Sequence, residues 1–141
     1  MDFGARVTCG EMAYARELVR GRPKELALLR SHPSETCFGA QIAGVKEAEL
    51  AEATKIAVDA GARYVDLNCG CPIRDAVRRG VGAALLRRAR KLGSCVEAMV
   101  AAVNVPITVK IRAGYQEGKV NAPEIARVCE EAGAAAITVH G

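Results

Sequence analysis

The stretch VDLNCGCPIRDAVRRGVGAALL, residues 65–86, decides how the rest of the chain is read. It opens on a short strand-like run, breaks at Gly70 and Pro72, and continues into a basic segment punctuated by glycines. Gly70 permits a tight turn, while Pro72 fixes its own φ and biases Cys71 toward extended geometry. A strand therefore ends near Cys69 and delivers Cys71 into a loop. Cys69-Gly70-Cys71 is open to three readings: a metal half-site, a redox pair, or one active thiol beside a bystander.

Working outward, short apolar and β-branched runs recur at residues 6–12, 37–44, 63–70, 107–114 and 135–141. Their length and flanking glycines predict buried strands. Helical periodicity separates them. Residues 47–60 place Leu50, Ala53, Ile56 and Ala57 on one face and stop at Gly61. A helix over 122–132 has Pro123 in its first turn, with Asn121 and Glu124 spaced as a capping box and Ile125, Val128 and Cys129 as its apolar stripe. A further helix is expected over 94–103, and GAALLRRARKL continues one begun near Gly82. Alternation of strand and helix implies parallel βαβ units with right-handed crossovers. No linker or low-complexity run divides residues 1–141, so one domain is expected.

Polar side chains stand near the C-terminal ends of these strands: Gln41, Asn68, Lys110 with Arg112, and His140, with Glu11 in the first. Parallel α/β folds bind ligands at that end of the sheet. One such residue is ordinarily a satisfied structural group. Several together are costly to bury without a partner, which favours a ligand site. A doubly wound dinucleotide fold would carry GxGxxG after its first strand; that motif is absent, so an arc of a (β/α)8 barrel is the better reading.

Half the residues are hydrophobic and the net charge is +4. No apolar run approaches the roughly 18 residues of a membrane span, and the N-terminus does not read as a signal peptide, so a cytoplasmic location is expected. In that setting Cys9, Cys37, Cys69, Cys71, Cys95 and Cys129 are expected as free thiols. With no CxxC and no histidine near Cys69 and Cys71, no metal site is expected. Between Arg74 and Lys91 lie seven basic residues against the single acid Asp75. This is either a phosphate-binding surface or a solvated helix face.

The ordered set VDLNCGCPIRDAVRRGVGAALL, VPITVKIRAG and ITVHG closely resembles the tRNA-dihydrouridine synthases. The opening VTCGEMAYARELVRG and ALLRSHPSETCFGAQIAG look most like the subfamily acting on the tRNA variable loop. The resemblance implies a flavoenzyme on a TIM-barrel scaffold, in which FMN reduced by NADPH donates hydride to C6 of a flipped uracil and a cysteine protonates C5. The matching residues are Cys71 as general acid and Asn68 as a uracil contact. Gln41, Lys110 and His140 match flavin contacts, Lys110 also reaching the base. Arg112 belongs to the same motif, and Arg74, Arg78 and Arg79 are placed to grip tRNA phosphates. Cys69 falls at a variable position and is expected to be a bystander. An ordinary thiol is mostly protonated at neutral pH, which suits an acid.

A whole TIM barrel has eight strands and about 250 residues. The five strands here match the second to sixth of the family barrel, leaving its first, seventh and eighth strands and its helical RNA-binding domain outside this sequence. An open arc would expose sheet edges that invite self-association. Two other functions fit the residues: an FMN barrel acting on a free pyrimidine, and a non-catalytic RNA-binding or self-associating fragment.

Overall fold

The computed structural model describes residues 4–116 and 118–141. Its frame is a wholly parallel sheet in the order β1-β3-β4-β5-β6, with β2 also beside β3. The strands are β1 Thr8–Cys9, β2 Ala13–Tyr14, β3 Phe38–Ala43, β4 Tyr64–Cys69, β5 Ile107–Arg112 and β6 Ala136–His140. Each crossover carries helix: α1 Ala15–Val19 and α2 Pro23–Ala27, then α3 Glu47–Asp59, then α4 Arg74–Arg78 and α5 Ala89–Ala102, then α6 Ala122–Glu131. This is a partial TIM barrel, an arc of five strand positions with helices on its convex side.

The expected first strand, 6–12, is two pieces. Cys9 pairs with Gly39 but Ala13 with Ile42, so four residues of the first strand span three of β3. The extra residue makes a bulge, and Glu11 is exposed within it rather than standing at the strand end. The strand instead runs on to Tyr14, and α1 and α2 follow it, in keeping with the helical segments expected between strands.

The segment after Gly82 also differs from expectation. Gly82–Arg87 is a 3-10 helix, and α5 starts afresh at Ala89 and runs through the separately expected 94–103 helix. Asn121 lies at the N-cap of α6 but makes no side-chain cap; its Nδ2 donates instead to the Leu86 carbonyl at 2.8 Å. The capping box is replaced by a tie between α6 and the 3-10 helix.

The core lies between sheet and helices. Leu50, Ala53 and Ala57 of α3, Leu92, Val96 and Met99 of α5, and Ile125 and Cys129 of α6 pack with Ile42, Leu67, Val109 and Ile111 in one apolar cluster. Thr54 is buried there too, its hydroxyl donating to the Leu50 carbonyl. Burying a side chain of Leu size contributes about 1.5–3 kcal/mol, so this face dominates stability. Gly61 closes α3 with φ +103°, as its position after the helix predicts. No helix among the described residues is long and apolar enough to cross a membrane.

Candidate active site

Alternation along each strand sends one set of side chains under the helices and the other onto the concave face. On β4, Val65, Leu67 and Cys69 enter the core while Tyr64, Asp66 and Asn68 turn inward; on β5, Ile107, Val109 and Ile111 are buried and Thr108, Lys110 and Arg112 face the other way. Register then aligns these inward residues. Gln41 stands opposite Asp66, Asp66 opposite Thr108, Asn68 opposite Lys110, and Arg112 opposite His140. Gln41, Lys110, Asp66, Thr108 and Tyr64 line a cavity of about 580 Å³ along the concave face. The cavity begins at the N-terminal ends of the strands, and Asn68, Cys71, Arg112 and His140 lie beyond its upper end.

A chain of side-chain hydrogen bonds crosses this face. Thr108 Oγ1 donates to Asp66 Oδ1 at 2.6 Å, and Gln41 Nε2 to Asp66 Oδ2 at 2.8 Å. Asn68 Nδ2 donates to Gln41 Oε1 at 2.9 Å, and Asn68 Oδ1 accepts from the backbone N–H groups of Gly70 and Cys71 at 3.1 and 2.9 Å. Burial pushes the Asp66 carboxyl above the usual carboxylate range, against the opposing pull of the Thr108 and Gln41 hydrogen bonds and the Lys110 charge.

The turn after β4 separates the two cysteines. Cys69 is wholly buried on the helix side, where burial raises its thiol pKa well above the ordinary range. Cys71 is half-buried and packs against a separate small cluster of Ala43, Ala76 and Val81. Its carbonyl accepts from the Ala83 N–H at 3.0 Å. Gly82 holds φ +63°, and a Cβ there would meet the Cys71 carbonyl oxygen at 2.7 Å. The glycine-rich segment thus closes directly onto the Cys71 turn. All six cysteines are free thiols.

The basic residues divide. Arg74, Arg78 and Arg112 line one groove of about 490 Å³ with Pro72 and Tyr115. Arg87 stacks its guanidinium 5.0 Å from the Tyr115 ring centre. Arg79 turns elsewhere, bonding Asp75 at 2.8 Å and covering Tyr14 at 4.8 Å from the ring centre. Lys91 pairs with Glu47 and joins α5 to α3. So Gln41, Asn68 and Lys110 come together on adjacent strands, Arg112 and His140 pair one layer above, and Arg79 stands apart. His140 is exposed on the last strand. Sequence reasoning missed Asp66, Thr108 and Tyr115; the signal was parity, since Asp66 shares a strand face with Asn68, and Thr108 with Lys110.

The convergent donors, namely the Lys110 ammonium and the spare N–H groups of Gln41 and Asn68, fit the carbonyl and ring-nitrogen acceptors of a flavin. The chain is also similar to known proteins. The chain is 44% identical over 146 residues to a tRNA-dihydrouridine(47) synthase [NAD(P)(+)] of Coprinopsis cinerea, covering 100% of this chain and 22% of that protein. It is 40% identical to a protein of Oryza sativa subsp. japonica named tRNA-dihydrouridine(47) synthase [NAD(P)(+)]-like, covering 99% of this chain and 20% of that one. A like-named Xenopus tropicalis protein is 42% identical, covering 99% and 22%. The chain thus spans about a fifth of the length of these relatives. Among solved structures, a phosphonopyruvate hydrolase in complex with oxalate and Mg++ matches with TM-score 0.64 at 17% identity, covering 99% of this chain and 60% of that one, a likeness of fold. The dihydrouridine synthase (Dus) profile matches residues 1–141, and the chain belongs to that family.

Proposed function

We propose that these residues form the central arc of the catalytic barrel of a flavin- and NADPH-dependent tRNA-dihydrouridine synthase. The observation that carries the reading is the convergence of Gln41, Asn68 and Lys110 on one concave face, with Cys71 held just beyond the end of β4 by the Asn68 side chain. The names of the relatives supply tRNA and a nicotinamide as the reaction partners.

In this reading Lys110, Gln41 and His140 hold the flavin, with Lys110 offering its charge to the electron-rich ring edge. When bound and reduced by NADPH, FMN would be the source of the hydride added at C6 of the uracil. Cys71 then delivers its thiol proton to C5, completing addition of H2 across the C5=C6 bond. Asn68 acts at two places: its oxygen shapes the turn that aims Cys71, and its spare N–H faces the base. The groove of Arg74, Arg78, Arg112 and Tyr115 receives backbone phosphates and a neighbouring base, Tyr115 providing a stacking face. Extruding the target uridine opens a ring that stacking otherwise shields. Arg79, engaged by Asp75 and Tyr14, is the weakest of the proposed phosphate contacts. The open edges at β1 and β6 support pairing with a further strand or a second copy.

The test is formation of dihydrouridine in unmodified tRNA by the full-length, FMN-loaded protein with NADPH. Cys71→Ala is expected to lower the rate by about 100-fold or more, the usual worth of a positioned acid. Cys69→Ala is expected to leave it within about twofold, as for a small buried side chain away from the chemistry. Full activity in Cys71→Ala, or equal loss in both variants, removes Cys71 from the mechanism. Reduction of free uracil as fast as tRNA replaces the substrate.

A further inference from the structure

We propose that Asp66 is a positioning residue whose carboxylate sets the direction of the Gln41–Asn68 hydrogen-bond chain and through it the placement of the Cys71 turn. This rests on the reading of Cys71 as the acid.

The argument is one of donors and acceptors. An ionised carboxylate only accepts, so whichever end of the Gln41 amide faces Asp66 must be the NH2. Gln41 Nε2 does face it, at 2.8 Å. That choice leaves Gln41 Oε1 turned toward Asn68, which must then present its own NH2, as it does at 2.9 Å. Asn68 Oδ1 is left pointing at the chain beyond Cys69, where it accepts from Gly70 and Cys71. Were Gln41 reversed, its oxygen would face the Asp66 carboxylate and its NH2 the Asn68 NH2; were Asn68 reversed, its oxygen would face Gln41 Oε1 and its NH2 the N–H groups of the turn. Unmatched buried donors cost about 1–3 kcal/mol each, so the chain has one stable direction.

Thr108 anchors the far oxygen of Asp66 from the neighbouring strand, which fixes the carboxylate plane. Asp66 itself is only 6% exposed and never reaches the turn it directs. Its influence therefore passes through two amides, on β3 and β4, to the loop that carries the thiol. The same direction leaves one spare N–H on each amide for a ligand on the concave face.

Asp66→Ala breaks the logic at its origin, because it removes the acceptor that orients Gln41. Asp66→Asn keeps it: the introduced oxygen still accepts from Gln41, while the introduced NH2 donates to the Thr108 hydroxyl, and Asn68 keeps its native direction. The readout is the rate of Cys71 alkylation by iodoacetamide in the flavin-free, full-length protein, followed at the Cys71 peptide by mass spectrometry. Asp66→Ala is expected to change that rate about fivefold, the equivalent of one hydrogen bond, and Asp66→Asn to hold it near the native value. An unchanged rate in folded Asp66→Ala overturns the proposal. So does an altered rate in Asp66→Asn, since its hydrogen bonding is complete. Because no turnover is read, a native protein inactive on tRNA counts against the proposed function and leaves this comparison decisive.

Discussion

The two faces of the sheet come from the same strands and differ in almost every physical respect. Its convex face is apolar, sealed by α3, α5 and α6, and includes Cys69, Cys95 and Cys129 as inert fillers. On the concave face, by contrast, Asp66, Asn68, Gln41, Thr108 and Lys110 are joined across strands by hydrogen bonds and register. Stability resides in the first and the proposed chemistry in the second, because close packing tolerates no unpaired charge while ligand capture requires exposed donors. Cys69 and Cys71, two residues apart, sit on either side of this divide.

Substitutions sharpen that contrast. The largest expected effect on stability is Leu67→Ala, which removes a fully buried side chain from the convex core and is expected to cost about 2–5 kcal/mol in chemical denaturation. A loss under 1 kcal/mol in that experiment would mean the helix layer is not the stabilising one. Gly82→Ala comes next. Its φ of +63° and the approach of a new Cβ to the Cys71 carbonyl are expected to cost about 1–3 kcal/mol and to change the Cys71 alkylation rate. Stability lost with no change at Cys71 would separate this glycine from the site.

The smallest effect at neutral pH, and the most selective, concerns the buried thiols. Burial pushes Cys95 up to about 11 and Cys129 up to about 12, and raises Cys69 well above its ordinary range. In the unfolded chain these thiols ionise near 9. The folded form therefore holds its protons longer, and stability is full below pH 9 and falls as pH rises toward 11. Denaturation midpoints at pH 8, 9 and 10 should decline in that order, whereas a flat profile would contradict the burial of these thiols. At pH 8 iodoacetamide should label Cys71 and leave Cys69, Cys95 and Cys129 protected until the chain unfolds.

Much of the convex face was legible beforehand. Leu50, Ala53 and Ala57 recur at helical spacing and are buried, and α3 stops where Gly61 predicts. The 3-10 break at Gly82–Arg87 was not legible, because helix-forming Ala and Leu fill it while its geometry answers to the Cys71 carbonyl and the Asn121 amide. Asn121 misled for the same reason: a good capping residue took a tertiary partner instead. The bulge at Glu11 left no local trace, since it appears only when the first strand is laid beside β3.

Sequence alone determined the parallel βα order and the family. These depend on period, on glycine and proline, and on short ordered motifs, all local properties of the chain. Only the tertiary structure decided that Asp66 and Thr108 join Gln41 and Asn68, that Arg79 is diverted to Tyr14 while Arg74 and Arg78 meet Arg112, and that Gly82 closes on Cys71. Those are contacts set by strand register and loop closure, most of them between residues far apart in the chain, and spacing along the sequence does not specify them.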